Sequence, residues 1–196
     1  MPDHYFSKSP ESAHRPGECH SVYRGCELSF ETDAGVFSRD GVDKGTALLL
    51  NALPDLQGDV LDLGCGWGAV GISVAKAYPG ARVTMVDINS RAVELSIKNA
   101  RKNGVSARVM ESDGFSALGE EKFSFILTNP PIRAGKQVIY DLFAKSAGHL
   151  LPGGSLYLVI RKQQGAPSAL AYLNTVFPKV QVVERGGGFW VIRADI

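Results

Sequence analysis

The chain is predicted to form an α/β fold: a seven-stranded, mostly parallel sheet with helices on both faces and an antiparallel last strand. Three observations carry this. From Asp59 onward, short apolar runs alternate with amphipathic segments, the pattern of parallel strands joined by crossover helices. The first of those runs opens into a glycine loop, Gly64-Cys65-Gly66-Trp67-Gly68. The last two are joined by Arg185-Gly186-Gly187-Gly188 with no helical stretch between them, which marks a hairpin.

Taken in order, residues 1 to 20 hold His4, His14 and His20 among prolines and few branched apolar side chains, and read as an irregular arm. Val22 to Phe37 is rich in strand formers, with a turn expected at Asp33-Ala34-Gly35. Ala47 to Leu53, ended by Pro54, reads as a short apolar helix. Strands of the sheet are expected at Val60–Leu63, Arg82–Val86, Ala107–Glu111, Phe123–Thr128, Ser155–Ile160, Val180–Glu184 and Phe189–Arg193. The clearest helix runs from Ser90 to Lys102, with Val93, Ile97 and Ala100 on one face, Asn89 or Ser90 as cap and Asn103-Gly104 as stop. Residues 1–40 are thus an arm with a hairpin extension, and 41–196 the main domain.

A chain of 196 residues with 44% hydrophobic content builds one such domain with a full core. A net charge of +1 excludes a large uniform field, while leaving room for a local basic patch. Cys19, Cys26 and Cys65 match neither a disulfide framework nor paired zinc ligands, so reduced thiols in a cytoplasmic chain are expected. The histidines with Cys19 and Cys26 fit no ligand spacing, and no metal is expected. No secretory pattern opens the chain and no apolar run is long enough to span a bilayer, so no membrane role is expected.

The glycine loop needs glycine because a ligand lies against bare backbone there. Gly66, Gly68 and Gly71 also fit the spacing of the nicotinamide dinucleotide fingerprint, so the loop alone does not choose a cofactor. Neighbouring carboxylates do. Asp62, just before Gly64, suits an ammonium group and would repel a pyrophosphate. Asp87 ends the second strand, where it can accept both hydroxyls of a ribose, and Ile88 beside it can pack on an adenine. Asp113-Gly114-Phe115 follows the third strand; its carboxylate can accept an adenine amino group while Phe115 lines the ring.

Over residues 40 to 196 these features, with Leu150-Leu151-Pro152-Gly153-Gly154, resemble the class I S-adenosylmethionine-dependent methyltransferases. The resemblance implies a Rossmann-like sheet, S-adenosylmethionine as cofactor, and Asp62, Gly64, Gly66, Asp87, Ile88, Asp113, Gly114, Phe115 and Asn129 as its contacts.

Thr128-Asn129-Pro130-Pro131-Ile132 ends the fourth strand at the same sheet edge. Two prolines stiffen the backbone so that the Asn129 side-chain oxygen and the Pro130 carbonyl can aim together at one planar –NH2 group. Such a nitrogen attacks poorly unless acceptors hold its hydrogens, so Asn129 and Pro130 are the expected catalytic pair. Family members that methylate adenine or glutamine carry an aromatic where this chain has Ile132. Gly35-Val36-Phe37-Ser38, Gly41-Val42-Asp43-Lys44-Gly45-Thr46 and Asn129 through Lys136 more narrowly resemble the small-subunit ribosomal RNA guanine-N2 methyltransferases. That likeness implies an RNA partner, substrate contacts at Pro131, Ile132 and Arg133, and a place in the cofactor pocket for Phe37 and Asp43 through Thr46. Lys136, Arg161 and Lys162 are candidates for phosphate contacts. The alternatives are methylation of a protein amide or small molecule, a nicotinamide-binding oxidoreductase, and an RNA-binding module without catalysis.

Overall fold

The computed structural model describes residues 13–196, so His4 and the first part of the expected arm lie outside the described residues. Strands β1 (Gly17–Tyr23) and β2 (Cys26–Thr32) form an antiparallel hairpin, followed by helix α1 (Lys44–Asn51). The main sheet then follows as β3 (Gly58–Leu63), α2 (Ala69–Ala77), β4 (Ala81–Asp87), α3 (Ser90–Lys102), β5 (Arg108–Glu111), β6 (Phe123–Thr128), α4 (Lys136–Gly148), β7 (Leu150–Arg161), α5 (Ala166–Val176), β8 (Lys179–Gly186) and β9 (Phe189–Asp195).

Strand order is β5-β4-β3-β6-β7-β9-β8, with β9 antiparallel to both its neighbours and the other pairs parallel. The expected seven-stranded sheet with its antiparallel last strand is therefore found. Val60, Leu61, Asp62 and Leu63 are all buried, as a central strand covered on both faces requires. One apolar cluster joins the hairpin, α1, α2 and α3 to the sheet, and a second lies under α4 and α5. The chain winds one way from β3 to β5 and the other way from β6, so the switch point falls between β3 and β6. The Thr128 hydroxyl donates to the Leu63 carbonyl at 2.8 Å and ties the two strand ends together there.

Three expectations are corrected. The hairpin turns at Arg24-Gly25, not at Asp33-Ala34-Gly35, and Gly17–His20 belong to β1 rather than to an arm. Arg24 and Gly25 both take positive φ (47° and 79°), the twist a two-residue hairpin turn needs. The Asp33 carboxylate accepts from the Arg15 and Ala34 backbone N–H groups instead. Along α3 the fully buried positions are Ala92, Leu95, Ser96, Asn99 and Ala100, while Val93 and Ile97 are only partly covered.

That shift in the face has a cause. Asn99 and Asn103, one turn apart, present their amides to β2 as a neighbouring strand would. Asn99 accepts from the Glu31 N–H at 2.7 Å and donates to the Glu31 carbonyl at 2.9 Å; Asn103 does the same to Ser29 at 3.0 and 2.8 Å. Each such hydrogen bond contributes about 0.5–1.5 kcal/mol. Phe30 packs on Trp67 at 4.8 Å between ring centroids and seals the joint.

A candidate active site at the carboxyl edge of the sheet

Adjacent strands β5, β4, β3 and β6 end side by side, and the loops that follow them surround a cavity of about 360 Å³. Asp62, Gly64, Gly66, Asp87, Ile88, Asp113, Gly114, Asn129, Pro130 and Pro131 all line it. The predicted residues thus meet in one place, except three. Phe115 is buried in the second core with its ring stacked on His149 at 4.4 Å, turned away from the cavity because the strand-to-turn geometry gives Gly114 that face. Ile132 packs against the same core, and Arg133 is exposed. Both sit in a 3-10 turn (Ile132–Ala134) that delivers Ala134 to the cavity in their stead.

The glycine loop is held by the carboxylates. Gly64 and Gly66 have positive φ (76° and 57°), and a Cβ on either would meet nothing within 4 Å, so bare backbone faces open space. Asp87 accepts from the Gly66 N–H at 2.8 Å and the Asn89 N–H at 2.9 Å. Asp62 accepts from the Gly71 N–H at 2.8 Å, an approach that only glycine allows, since a Cβ there would lie 2.5 Å from the Met85 sulfur. Burial pushes the Asp62 carboxyl up to about 7, with the charge of Asp87 adding to the effect against the Gly71 hydrogen bond. Burial raises Asp87 as well, against its backbone hydrogen bonds. Two carboxyls whose anions are this poorly solvated form a wall that favours a cationic and hydroxyl-bearing guest. Burial likewise drives the Cys65 thiol well above its ordinary value, which leaves it a neutral filler beside Ser96 and not a nucleophile.

A roof closes over this wall. Trp67 Nε1 donates to the Phe37 carbonyl at 2.9 Å, Asn89 Nδ2 to the Gly35 carbonyl at 2.9 Å, and Arg91 to the Ala34 carbonyl at 2.6 Å. Val36, Phe37 and Ser38 thereby join the lining, as do Asp43 and Thr46 from the start of α1. Asn89 also caps α3, accepting from the Arg91 and Ala92 N–H groups. The lining positions of Trp67, Ala134, Val138 and Leu142 were not anticipated. Val138 and Leu142 lie four residues apart on α4, beside the face that buries Ile139 and Phe143, and their spacing alone reads as an ordinary amphipathic helix.

On the other side of the switch point stands Asn129. Its Nδ2 donates to the Thr46 hydroxyl at 3.1 Å, while neither its Oδ1 nor the Pro130 carbonyl meets a donor among the described residues. Two acceptors thus stand beside the carboxylate wall, as hydrogen-bond partners for an amino group require. Beyond them the rim is basic. Arg161 lies over the Phe189 ring at 4.7 Å and Arg185 over Trp190 at 4.9 Å, with Lys44, Arg133, Lys136 and Lys162 exposed nearby in the chain ends at this edge. Among the described residues none of these six cations meets a carboxylate, whereas Arg24, Arg82, Lys102 and Arg108 elsewhere are each paired. The described residues gather no group of three or more metal-ligating side chains, and no described helix is long and apolar enough to cross a membrane.

Sheet order, glycine loop and paired carboxylates define an S-adenosylmethionine-dependent methyltransferase, an enzyme, which sets aside the nicotinamide reading that the glycine spacing left open. The chain belongs to the methyltransferase small domain family, whose model matches residues 27–193. It is 42% identical over 198 residues to the uncharacterized protein YbxB of Bacillus subtilis, covering 99% of this chain and 98% of that one. It is 39% identical over 177 residues to ribosomal RNA small subunit methyltransferase C of Aeromonas hydrophila, covering 87% of this chain and 50% of the relative. The 16S rRNA N2 G1207 methyltransferase of T. thermophilus, solved in complex with AdoMet and guanosine, superposes with a TM-score of 0.84 at 30% identity, over 95% of this chain and 52% of that one. The chain spans about half the length of these ribosomal RNA relatives.

Proposed function

We propose that this protein methylates the exocyclic N2 of guanine in ribosomal RNA. The observation that carries the reading is the free acceptor pair, Asn129 Oδ1 and the Pro130 carbonyl, set across the switch point from the carboxylate wall. S-adenosylmethionine is the methyl donor, and when bound it supplies an electrophilic methyl on a cationic sulfur.

The residues present fit that group. Asp62 would receive the ammonium of its methionyl part, Asp87 the ribose hydroxyls, and the bare backbone at Gly64 and Gly66 would lie along it. Ile88 and Gly114 would border the adenine, and Asp113 would accept from its amino group. On the acceptor side, the guanine amino group is planar because its lone pair is delocalised into the ring. Asn129 Oδ1 and the Pro130 carbonyl accept hydrogen bonds from its two N–H groups and favour the tetrahedral nitrogen of the transition state, and the one proton that the methyl replaces passes to solvent. Pro130 and Pro131 restrict the backbone that carries the two oxygens through their fixed φ. The cleft that holds these contacts is roofed by Val36 to Ser38.

Support for RNA comes from the cations at the rim that meet no carboxylate, with Arg161 and Arg185 over the rings of Phe189 and Trp190, and from relatives named for action on small-subunit ribosomal RNA. The test is transfer of labelled methyl to ribosomal RNA and to small subunits, followed by nucleoside analysis. N2-methylguanosine is expected. Label in another nucleoside, or none with any RNA or particle, overturns the reading. Asn129→Ala is expected to lower kcat by about 10²–10³-fold while S-adenosylhomocysteine affinity stays within a few-fold.

A further inference from the structure

The side chain of an asparagine looks alike from both ends, so an acceptor role for Asn129 requires something to set which end faces the cavity. Its neighbour across the cleft is Thr46, buried at 5% exposure in the first turn of α1 and 83 residues away in sequence. Thr46 Oγ1 lies 2.6 Å from Asp43 Oδ2 and 3.1 Å from Asn129 Nδ2. Asp43 Oδ1 meanwhile caps the helix, accepting from the Gly45 and Thr46 N–H groups at 2.8 and 3.2 Å.

Proton counting decides the polarity of this chain. A carboxylate only accepts, so the one hydroxyl proton of Thr46 goes to Asp43. What Thr46 then has left for Asn129 is a lone pair. A lone pair can meet only the NH2 end of the carboxamide, and Oδ1 is thereby turned to the opposite side, where the residue lines the cavity. The approach that brings Thr46 in is itself built by sequence. A Cβ at Gly45 would lie 2.8 Å from the Phe189 ring, so glycine there lets the first turn of α1 sit close against β9.

We propose that Thr46 is a positioning residue: with its proton drawn to Asp43, its hydroxyl locks the Asn129 carboxamide with the oxygen toward the substrate nitrogen. The inference deepens the reading of Asn129 as an acceptor and rests on it. It assigns Asp43 and Thr46 to the acceptor side of the cleft, beyond the place over the cofactor that the family likeness suggests for them.

Three variants test it: Thr46→Ser, which keeps the hydroxyl, Thr46→Val, which keeps the shape and removes it, and Asn129→Ala. In the free protein, the Asn129 side-chain amide is followed by proton–nitrogen correlation spectroscopy. The wild type and Thr46→Ser are expected to show one of the two Nδ2 protons protected from solvent exchange, and Thr46→Val neither. In turnover with small-subunit RNA, Thr46→Val is expected to lose about 10- to 100-fold in kcat, with KM, S-adenosylhomocysteine affinity and melting temperature little changed. Thr46→Ser should stay within about threefold of wild type.

Equal protection of the amide in Thr46→Val and wild type overturns the inference, as does wild-type turnover by Thr46→Val. So does a loss shared equally by Thr46→Ser and Thr46→Val, or a loss of cofactor affinity that matches the loss of kcat. If Asn129→Ala itself turns over normally, it is the acceptor reading that fails; the amide protection still reports on the Thr46 contact in that case.

Discussion

The two walls of the cleft are built on different physical terms. On the side of β3, β4 and β5, Asp62 is buried and Asp87 half-buried, both are raised in pKa and both are bonded to the backbone they stabilise, so the proposed contacts to the cofactor double as the loop's own scaffold. On the side of β6, β7 and β9, Asn129 Oδ1 and the Pro130 carbonyl meet no donor among the described residues, and the arginines and lysines of the rim meet no carboxylate, Arg161 and Arg185 resting instead against aromatic rings. The difference teaches that the first wall is preorganised for one fixed ligand, while the second leaves its hydrogen-bonding capacity open to a partner that brings its own structure.

The sharpest way to break this contrast is at Asp87. Asp87→Ala removes the acceptor of the Gly66 and Asn89 N–H groups together with the proposed ribose contact. S-adenosylhomocysteine affinity is expected to fall by about 100-fold, near 2.7 kcal/mol, in calorimetry. Retention of affinity within a few-fold would show that the wall does not hold the cofactor. At the rim, Arg161→Glu with Lys162→Glu is expected to raise KM for RNA by about 30-fold and to flatten its salt dependence by roughly one unit of slope for each phosphate no longer neutralised. Binding of S-adenosylhomocysteine should not change, and if it falls equally the two walls are not separate.

The smallest effect is set by pH. Asp62 has a carboxyl near 7 in the free protein, and an ammonium partner requires its anion, so cofactor affinity is expected to level off only above about pH 8 and to weaken by roughly fivefold from pH 7 to 6. Stability of the free protein moves the other way. The native carboxyl titrates above the unfolded value of 3.8, so the native state holds the extra proton between those values; stability contributed by this group rises as pH falls from about 7 toward 4. Asp62→Asn should erase both slopes, and calorimetry alongside thermal melts at each pH checks the opposed signs.

How far this was legible before the structure follows the same divide. Carboxylates at strand ends beside a glycine loop are local features, and Asp62, Asp87 and Asp113 all stand where their strands predicted. Helix α3 matches its capping signals residue for residue. The bonds that cross the cleft were not legible, because no local pattern tells that Thr46 meets Asn129, or that Asn99 and Asn103 stand in for a strand beside β2. Asp33-Ala34-Gly35 looks like a turn in isolation, whereas Arg24-Gly25 wins by fitting the twist of β1 and β2. Phe115 was assigned to the cavity on its neighbours' account, and only the packing of α4 and His149 shows that its ring belongs to the core.

Asn89 occupies a singular position among these contacts. Its N–H rests on Asp87, its side-chain oxygen starts α3, and its amide holds down the strap at Gly35. A single codon therefore answers for floor, pillar and ceiling at once. Replacing this side chain would loosen three joints in one step, so the strap at Gly35 cannot be released there without also disturbing the Asp87 carboxylate and the start of α3.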